Sequence, residues 1–188
     1  MTNGELRMTN DGQSVLNNAR GRTANVQSDI RHSTFDTRHS TLVLGLGNPL
    51  QRDDGVGIRV VKELERREWP PHVEILDGGT PGVGLINLME GRARVVIIDA
   101  AEMGRPPGEI VRFRAEDVTL TGSAERFSLH RSGVADAFAL AQSLNISLPE
   151  IVVYGVQPAH VGWGEELSAE VAAAIPGLVE TIIRETQE

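Results

Sequence analysis

The chain has 188 residues, 40% of them hydrophobic, with 18 basic and 26 acidic side chains, a net charge of −8 and no cysteine. That length buries one sizeable core and does not call for two, while the lack of thiols excludes disulfides, thiolate metal sites and a cysteine nucleophile, so any metal must be held by oxygen and imidazole. The charge is uneven: residues 1–40 carry five Arg and four acids (net +1), leaving 13 basic and 22 acidic residues (net −9) in the rest, which argues against a nucleic-acid partner.

Residues 1–40 are rich in Thr, Asn, Ser, Gln, Gly and Arg, lack apolar periodicity, and contain the near-duplicates RHST at 31–34 and 38–41. Such a composition buries too little apolar surface to offset its ordering entropy, so the segment is expected to be a disordered extension, with His32 and His39 a weak metal signal. It has no apolar signal-peptide core, and nowhere does the chain carry a run of about 18 apolar residues; the expectation is a cytoplasmic protein with no membrane partner.

From Thr41 to the C-terminus strands and helices alternate. Residues 41–44 (TLVL) form a short apolar strand ending in a glycine turn, and Ile58, Val61 and Leu64 recur at helical spacing within 56–67. Strand 73–76 runs into DGGTPG (77–82) and a helical stretch 83–89, and strand 94–98 runs into Asp99. Residues 109–114 alternate as an edge or antiparallel strand does, 134–144 and 167–183 read as amphipathic helices, and 151–155 is a last central strand. Continuous Val/Ile runs mark strands covered on both faces. The sum is an α/β domain over 41–188, a three-layer αβα sandwich with a mostly parallel, mixed sheet.

In such sheets ligands bind outside the carboxyl ends of the strands. Acids stand at the first three exits: Asp53 and Asp54 in GLGNPLQRDDGVG (45–57), Asp77 after the second strand, and Asp99 after the third. Four converging carboxylates repel one another, so a cation or a shared proton is expected among them. Asp53, just ahead of a helix, suits a capping role, and Asp77 before two glycines suits a turn cap as well as a cleft acid; Asp54 and Asp99 are harder to explain structurally. Among the histidines, His72 reads as a solvated turn residue. His130, in SLHRSG before a helix, is either a surface residue or a return to the same sheet edge, and His160 after the last strand also comes near it. Two carboxylates and an imidazole suit Zn, Ni, Mn or Fe. The glycine loop is no dinucleotide fingerprint, because Leu50 replaces the third glycine and two acids would repel pyrophosphate. Walker A, H-E-x-x-H and G-x-S-x-G are absent.

Four ordered motifs, LGLGNPLQRDDGVG, EILDGGTPG, VVIIDA and SLHRSGVADAF, resemble the hydrogenase maturation endopeptidases over Thr41 to the C-terminus. The resemblance implies a phosphorylase/hydrolase-like fold and a metal-dependent, aspartate-lined peptidase that removes a C-terminal extension from the large-subunit precursor of a [NiFe]-hydrogenase after nickel insertion. It implies Asp54, Asp99 and His130 as a metal-binding trio, with Asp54 where the family often has a Glu one methylene longer, and Asp77 as a cleft residue. In one version the trio holds its own divalent metal, such as zinc, which activates water. In the other, which the family favours, it docks onto nickel carried by the precursor, leaving Asp77 as the carboxylate for water activation. A monomer is expected. Two rival functions are a nickel-dependent binding or chaperone module for the precursor, and peptidyl-tRNA hydrolase, which begins with a similar GLGNP but needs a histidine about a dozen residues later; no His lies between Thr41 and Pro71.

Overall fold

The computed structural model describes residues 6–8, 14–16, 40–114 and 133–187. The chain divides into two compact units, Met1–Phe35 and Asp36–Glu188. In the first, β1 (Leu6–Met8) pairs antiparallel with β2 (Ser14–Leu16), Leu6 opposite Leu16. The other residues expected to form the disordered extension, His32 and His39 among them, lie outside the described residues.

The second unit is built on a five-stranded sheet in the order β4-β3-β5-β7-β6, formed by β3 (Thr41–Leu46), β4 (Val73–Gly79), β5 (Arg94–Ala100), β6 (Ile110–Arg114) and β7 (Glu150–Val156). The first four are parallel, and β6 alone runs antiparallel, on β7 at the sheet's edge. Val43, Val96, Ile98, Val152 and Tyr154 point into one cluster with α1 (Val56–Leu64) and α4 (Ala169–Gln187). Leu42, Leu44, Val95, Ile97 and Val153 point into another with α2 (Leu85–Met89) and α3 (Val134–Ser143). Both faces are therefore dry, which is why the strands read as unbroken apolar runs. The fold is the three-layer α/β sandwich expected.

The boundaries differ in an informative way. The first three strands each run two or three residues further than their apolar cores, so Asp77 and Asp99 are the late residues of β4 and β5 rather than members of the loops beyond. Ladder hydrogen bonds to one neighbouring strand, β3 for β4 and β7 for β5, extend each strand past its last hydrophobic residue. Helix α1, conversely, stops at Leu64, three residues short of the periodic pattern; the Trp69 indole N–H donates to the Leu64 carbonyl at 2.9 Å and takes the place of the next turn. Helix α4 continues through Pro176 to Gln187.

Two glycines fix where α1 meets the sheet. A Cβ on Gly57 would lie 2.3 Å from the Ile98 carbonyl oxygen and 2.4 Å from that of Leu46, so the first turn of α1 rests directly on the ends of β3 and β5. Gly47 adopts φ 119°, and a Cβ there would overlap the Asp54 carbonyl oxygen at 1.7 Å. Any side chain at either position would push the acidic loop off the sheet edge.

Candidate active site

The acidic loop folds back tightly: Gln51 N–H bonds the Asn48 carbonyl at 2.9 Å, and residues Asp53–Gly55 form one turn of 3₁₀ helix that feeds α1. Its two adjacent acids have opposite surroundings. Asp53 is fully buried, 0% exposed, and its carboxylate accepts the N–H groups of Ala159 and His160 (both 2.8 Å), the N–H of Ser168 (2.7 Å) and the Ser168 hydroxyl (2.9 Å). Burial by itself would raise its pKa; the donors from His160, Ser168 and Ala159 outweigh that and hold the carboxyl below its ordinary range. Asp53 is thus structural, as its position suggested, but by another route. No side chain caps the start of α1, and Asp53 instead ties the first loop to the segment between β7 and α4, more than a hundred residues along the chain.

Asp54 is also buried, 4% exposed, yet the only hydrogen bond its carboxylate accepts among the described residues is from the Asn48 N–H, to Oδ2 at 2.8 Å. Asp99, 2% exposed, stands at the end of β5, level with Gly155 of β7. Since Gly45 of β3 is level with Ile98, the loop that carries Asp54 leaves the sheet beside Asp99. The two acids without a ready structural explanation therefore come to one sheet end, Asp54 on the loop after β3 and Asp99 at the end of the adjacent β5.

Asp77 reaches that end differently. It is level with Gly45 and hence with Ile98, so strand alternation turns it toward the α1 layer, whereas Asp99 is turned toward the α2 and α3 layer. Asp77 is exposed, and its Oδ1 accepts the Gly79 N–H at 3.0 Å, the turn-capping geometry its sequence allowed. Of the four carboxylates expected to converge, Asp54 and Asp99 come to one sheet end, Asp77 is exposed at the same end and Asp53 is turned into the fold.

His130 lies outside the described residues. Gly133, three residues later, is packed against the loop after β4: a Cβ on it would sit 2.6 Å from the Gly82 Cα. His160 is exposed, and its backbone N–H holds Asp53; with Arg52, Val161, Gly162 and Trp163 it lines a pocket of about 370 Å³. His72 is exposed, as a solvated turn residue should be. Among the described residues no three acids or histidines form a metal-binding group, and no helix is long and apolar enough to cross a membrane. The donor chemistry of Asp54 and Asp99 nonetheless fits a divalent ion: two buried carboxylates, one with an oxygen to spare.

Sequence reasoning missed Gln157. It is buried at the end of β7, where its Oε1 accepts the N–H groups of Met103 (2.7 Å) and Arg105 (3.2 Å) and its Nε2 donates to Glu102 at 2.9 Å. This side chain holds the loop after β5, and so the far wall beside Asp99. The signal available was a polar residue closing an apolar strand immediately before Pro158.

A mixed α/β sheet with two buried carboxylates at the carboxyl edge defines the class, an α/β enzyme with an acid-lined crevice. The profile of the hydrogenase maturation protease family matches residues 58–185. The chain is 35% identical over 146 residues to the hydrogenase expression/formation protein HupD of Rhodobacter capsulatus, covering 77% of this chain and 70% of that one. In structure it resembles the hydrogenase maturating endopeptidase HybD of Escherichia coli (TM-score 0.67, 32% identity, 79% of this chain and 92% of that one). It also resembles the [NiFe] hydrogenase maturation protease HybD of Thermococcus kodakarensis (TM-score 0.64, 32% identity, 78% and 99%). The chain belongs to the hydrogenase maturation protease family and is a protease.

Proposed function

We propose that this protease acts in the cytoplasm, as a monomer, on the large-subunit precursor of a [NiFe]-hydrogenase, removing a short C-terminal extension once nickel is in place. Nickel arrives with the substrate. Asp54, Asp99 and His130 are the residues that would meet it, so that only a loaded precursor seats its scissile bond at the crevice. The observation that carries this reading is the contrast between neighbours: the Asp53 carboxylate accepts four internal donors, while that of Asp54, 4% exposed, accepts one and keeps an oxygen available. A nearly buried carboxylate with one protein donor suits a cation, and a precursor-borne ion is such a cation.

Within that arrangement the chain's own groups do the following work. The Asn48 N–H orients Asp54 through Oδ2, Gln157 fixes the loop after Asp99, and the exposed Asp77, oriented by Gly79, is the carboxylate assigned to take a proton from the attacking water. A metal met by Asp54, Asp99 and His130 would supply Lewis-acid chemistry, polarising a carbonyl.

The test is intact-mass analysis of a nickel-loaded precursor mixed with this protein, beside the Asp54→Ala, Asp99→Ala double variant and a nickel-free precursor. Loss of a C-terminal peptide only with the wild type and only with nickel is the expected result. Cleavage of nickel-free precursor at the same rate would overturn the role of nickel, and an Asp77→Asn variant that cleaves at the wild-type rate would remove Asp77 from proton transfer.

A further inference from the structure

Next to Asp54 the chain does something that the protease site does not require. Arg52 adopts φ 55° and ψ −119°, a conformation that glycine takes easily and a residue with a Cβ takes under strain. The segment 160–164 holds it there: its N–H donates to the Gly164 carbonyl at 2.8 Å, its Nε donates to the Trp163 carbonyl at 3.2 Å, and it bridges Val161. The Gly164 N–H in turn donates to the Leu50 carbonyl at 3.0 Å. The two loops are stitched into one surface, which presents Trp163 at 82% exposure and Leu50 at 45%. Among the described residues the Arg52 guanidinium meets no carboxylate, in a body whose net charge is −9. An arginine in a strained backbone position, its terminal amino groups without a carboxylate among the described residues and a nearly bare tryptophan beside it, suits a recognition surface.

We propose that Arg52, His160 and Trp163 form a docking subsite on the rim of the crevice for a segment of the substrate precursor that presents a carboxylate next to an apolar side chain. Two observations choose this occupant. The surface is continuous with the site, since Arg52 is two residues from Asp54 and Asp53 bonds the His160 backbone in both directions, so a chain lying in the crevice must pass over this rim. The unpaired guanidinium selects a carboxylate bidentately, and the indole face takes the adjoining apolar group. A second copy of this chain, itself at −8, would be repelled. The inference rests on the protease reading of the neighbouring acids.

The experiment uses the full chain and the nickel-loaded precursor, with Arg52→Gly, Trp163→Ala and the double variant. Both side chains are exposed and Arg52→Gly relieves the φ 55° strain, so melting temperatures should stay at or above the wild-type value. The expected result is a KM raised about tenfold by each single change with kcat retained, and precursor affinity, measured by titration without turnover, weakened by the same factor. Wild-type KM and affinity in both variants would overturn the subsite. So would an unchanged KM accompanied by an altered oligomeric state, since that outcome assigns the surface to a second copy. Precursor bound by the wild type and weakened by the variants, but never cut, would keep the subsite and overturn the protease reading instead.

Discussion

Two carboxylates, Asp53 and the half-buried Glu185, hold helix α4, while Asp54 and Asp99 stand at the sheet end, and the comparison separates architecture from chemistry. At the start of α4, Asp53 fastens Ser168 with both its backbone N–H and its hydroxyl. Near the other end, Glu185 accepts Arg112 at 2.7 Å and also takes hydrogen bonds from Arg94 and the Tyr154 hydroxyl. Burial alone would raise the pKa of Glu185; hydrogen bonds from Arg112 and Tyr154, with the charges of both arginines, bring it below its ordinary value. Burial and the same contact with Glu185 push the Tyr154 hydroxyl up to about 12. Both acids are saturated with partners and pin the helix to the sheet. Asp54 is 4% exposed, and its carboxylate has one hydrogen-bond donor among the described residues. Saturation marks an acid used to hold the fold, and the proposed function gives the less saturated Asp54 to the substrate.

The largest expected effect comes from removing the two acids at the sheet end. Asp54→Asn and Asp99→Asn should each lower precursor processing by about 10³-fold or more, as loss of a group that stabilises developing charge does, while circular dichroism and melting temperature stay near wild type. A parallel collapse in stability would erase the distinction between the two kinds of acid. Asp53→Ala should reverse the pattern. It leaves three backbone N–H groups without their acceptor, at about 1–3 kcal/mol each where they remain buried, so urea unfolding should show a loss on the order of 3 kcal/mol. An Asp53→Ala protein of wild-type stability would refute the pin.

A smaller and more selective effect is expected from Glu185→Gln, about 1–2 kcal/mol at neutral pH, since charge-assisted bonds become neutral ones. The sign with pH follows from the depressed pKa. The stabilisation by Glu185 is complete above its ordinary 4.5 and is lost as pH falls through the lower folded-state value. Stability measured from pH 6 downward should therefore fall less steeply in the variant than in the wild type. Equal slopes would show that Glu185 keeps no proton-linked advantage in the folded state.

Most of the fold was legible because it is written in hydrophobic periodicity: the Val/Ile runs of β5 and β7 require cover on both faces, and the alternation in 110–114 requires an edge. The site was legible in outline, since acids at successive strand ends point to one sheet edge whichever way the loops turn. What was not legible was how neighbouring acids divide their labour. Asp53 and Asp54 are chemically identical, adjacent, and both buried; local sequence offers Asp53 the cap of α1, yet its donors come from residues 159, 160 and 168. Gln157 escaped notice for the same reason, because its partners at 102, 103 and 105 belong to another loop.

The sequence by itself determined the layered sheet, the acidic edge and, through its ordered motifs, the family, because periodicity, turn residues and charge are local properties that act over a few residues. Only the tertiary structure decided which carboxylates are consumed by the fold and which remains open, and that Arg52 and Trp163 share one surface. Those outcomes depend on which buried donors meet which acceptors across a hundred residues of chain, a geometry set by packing of the whole sheet and its two helical layers.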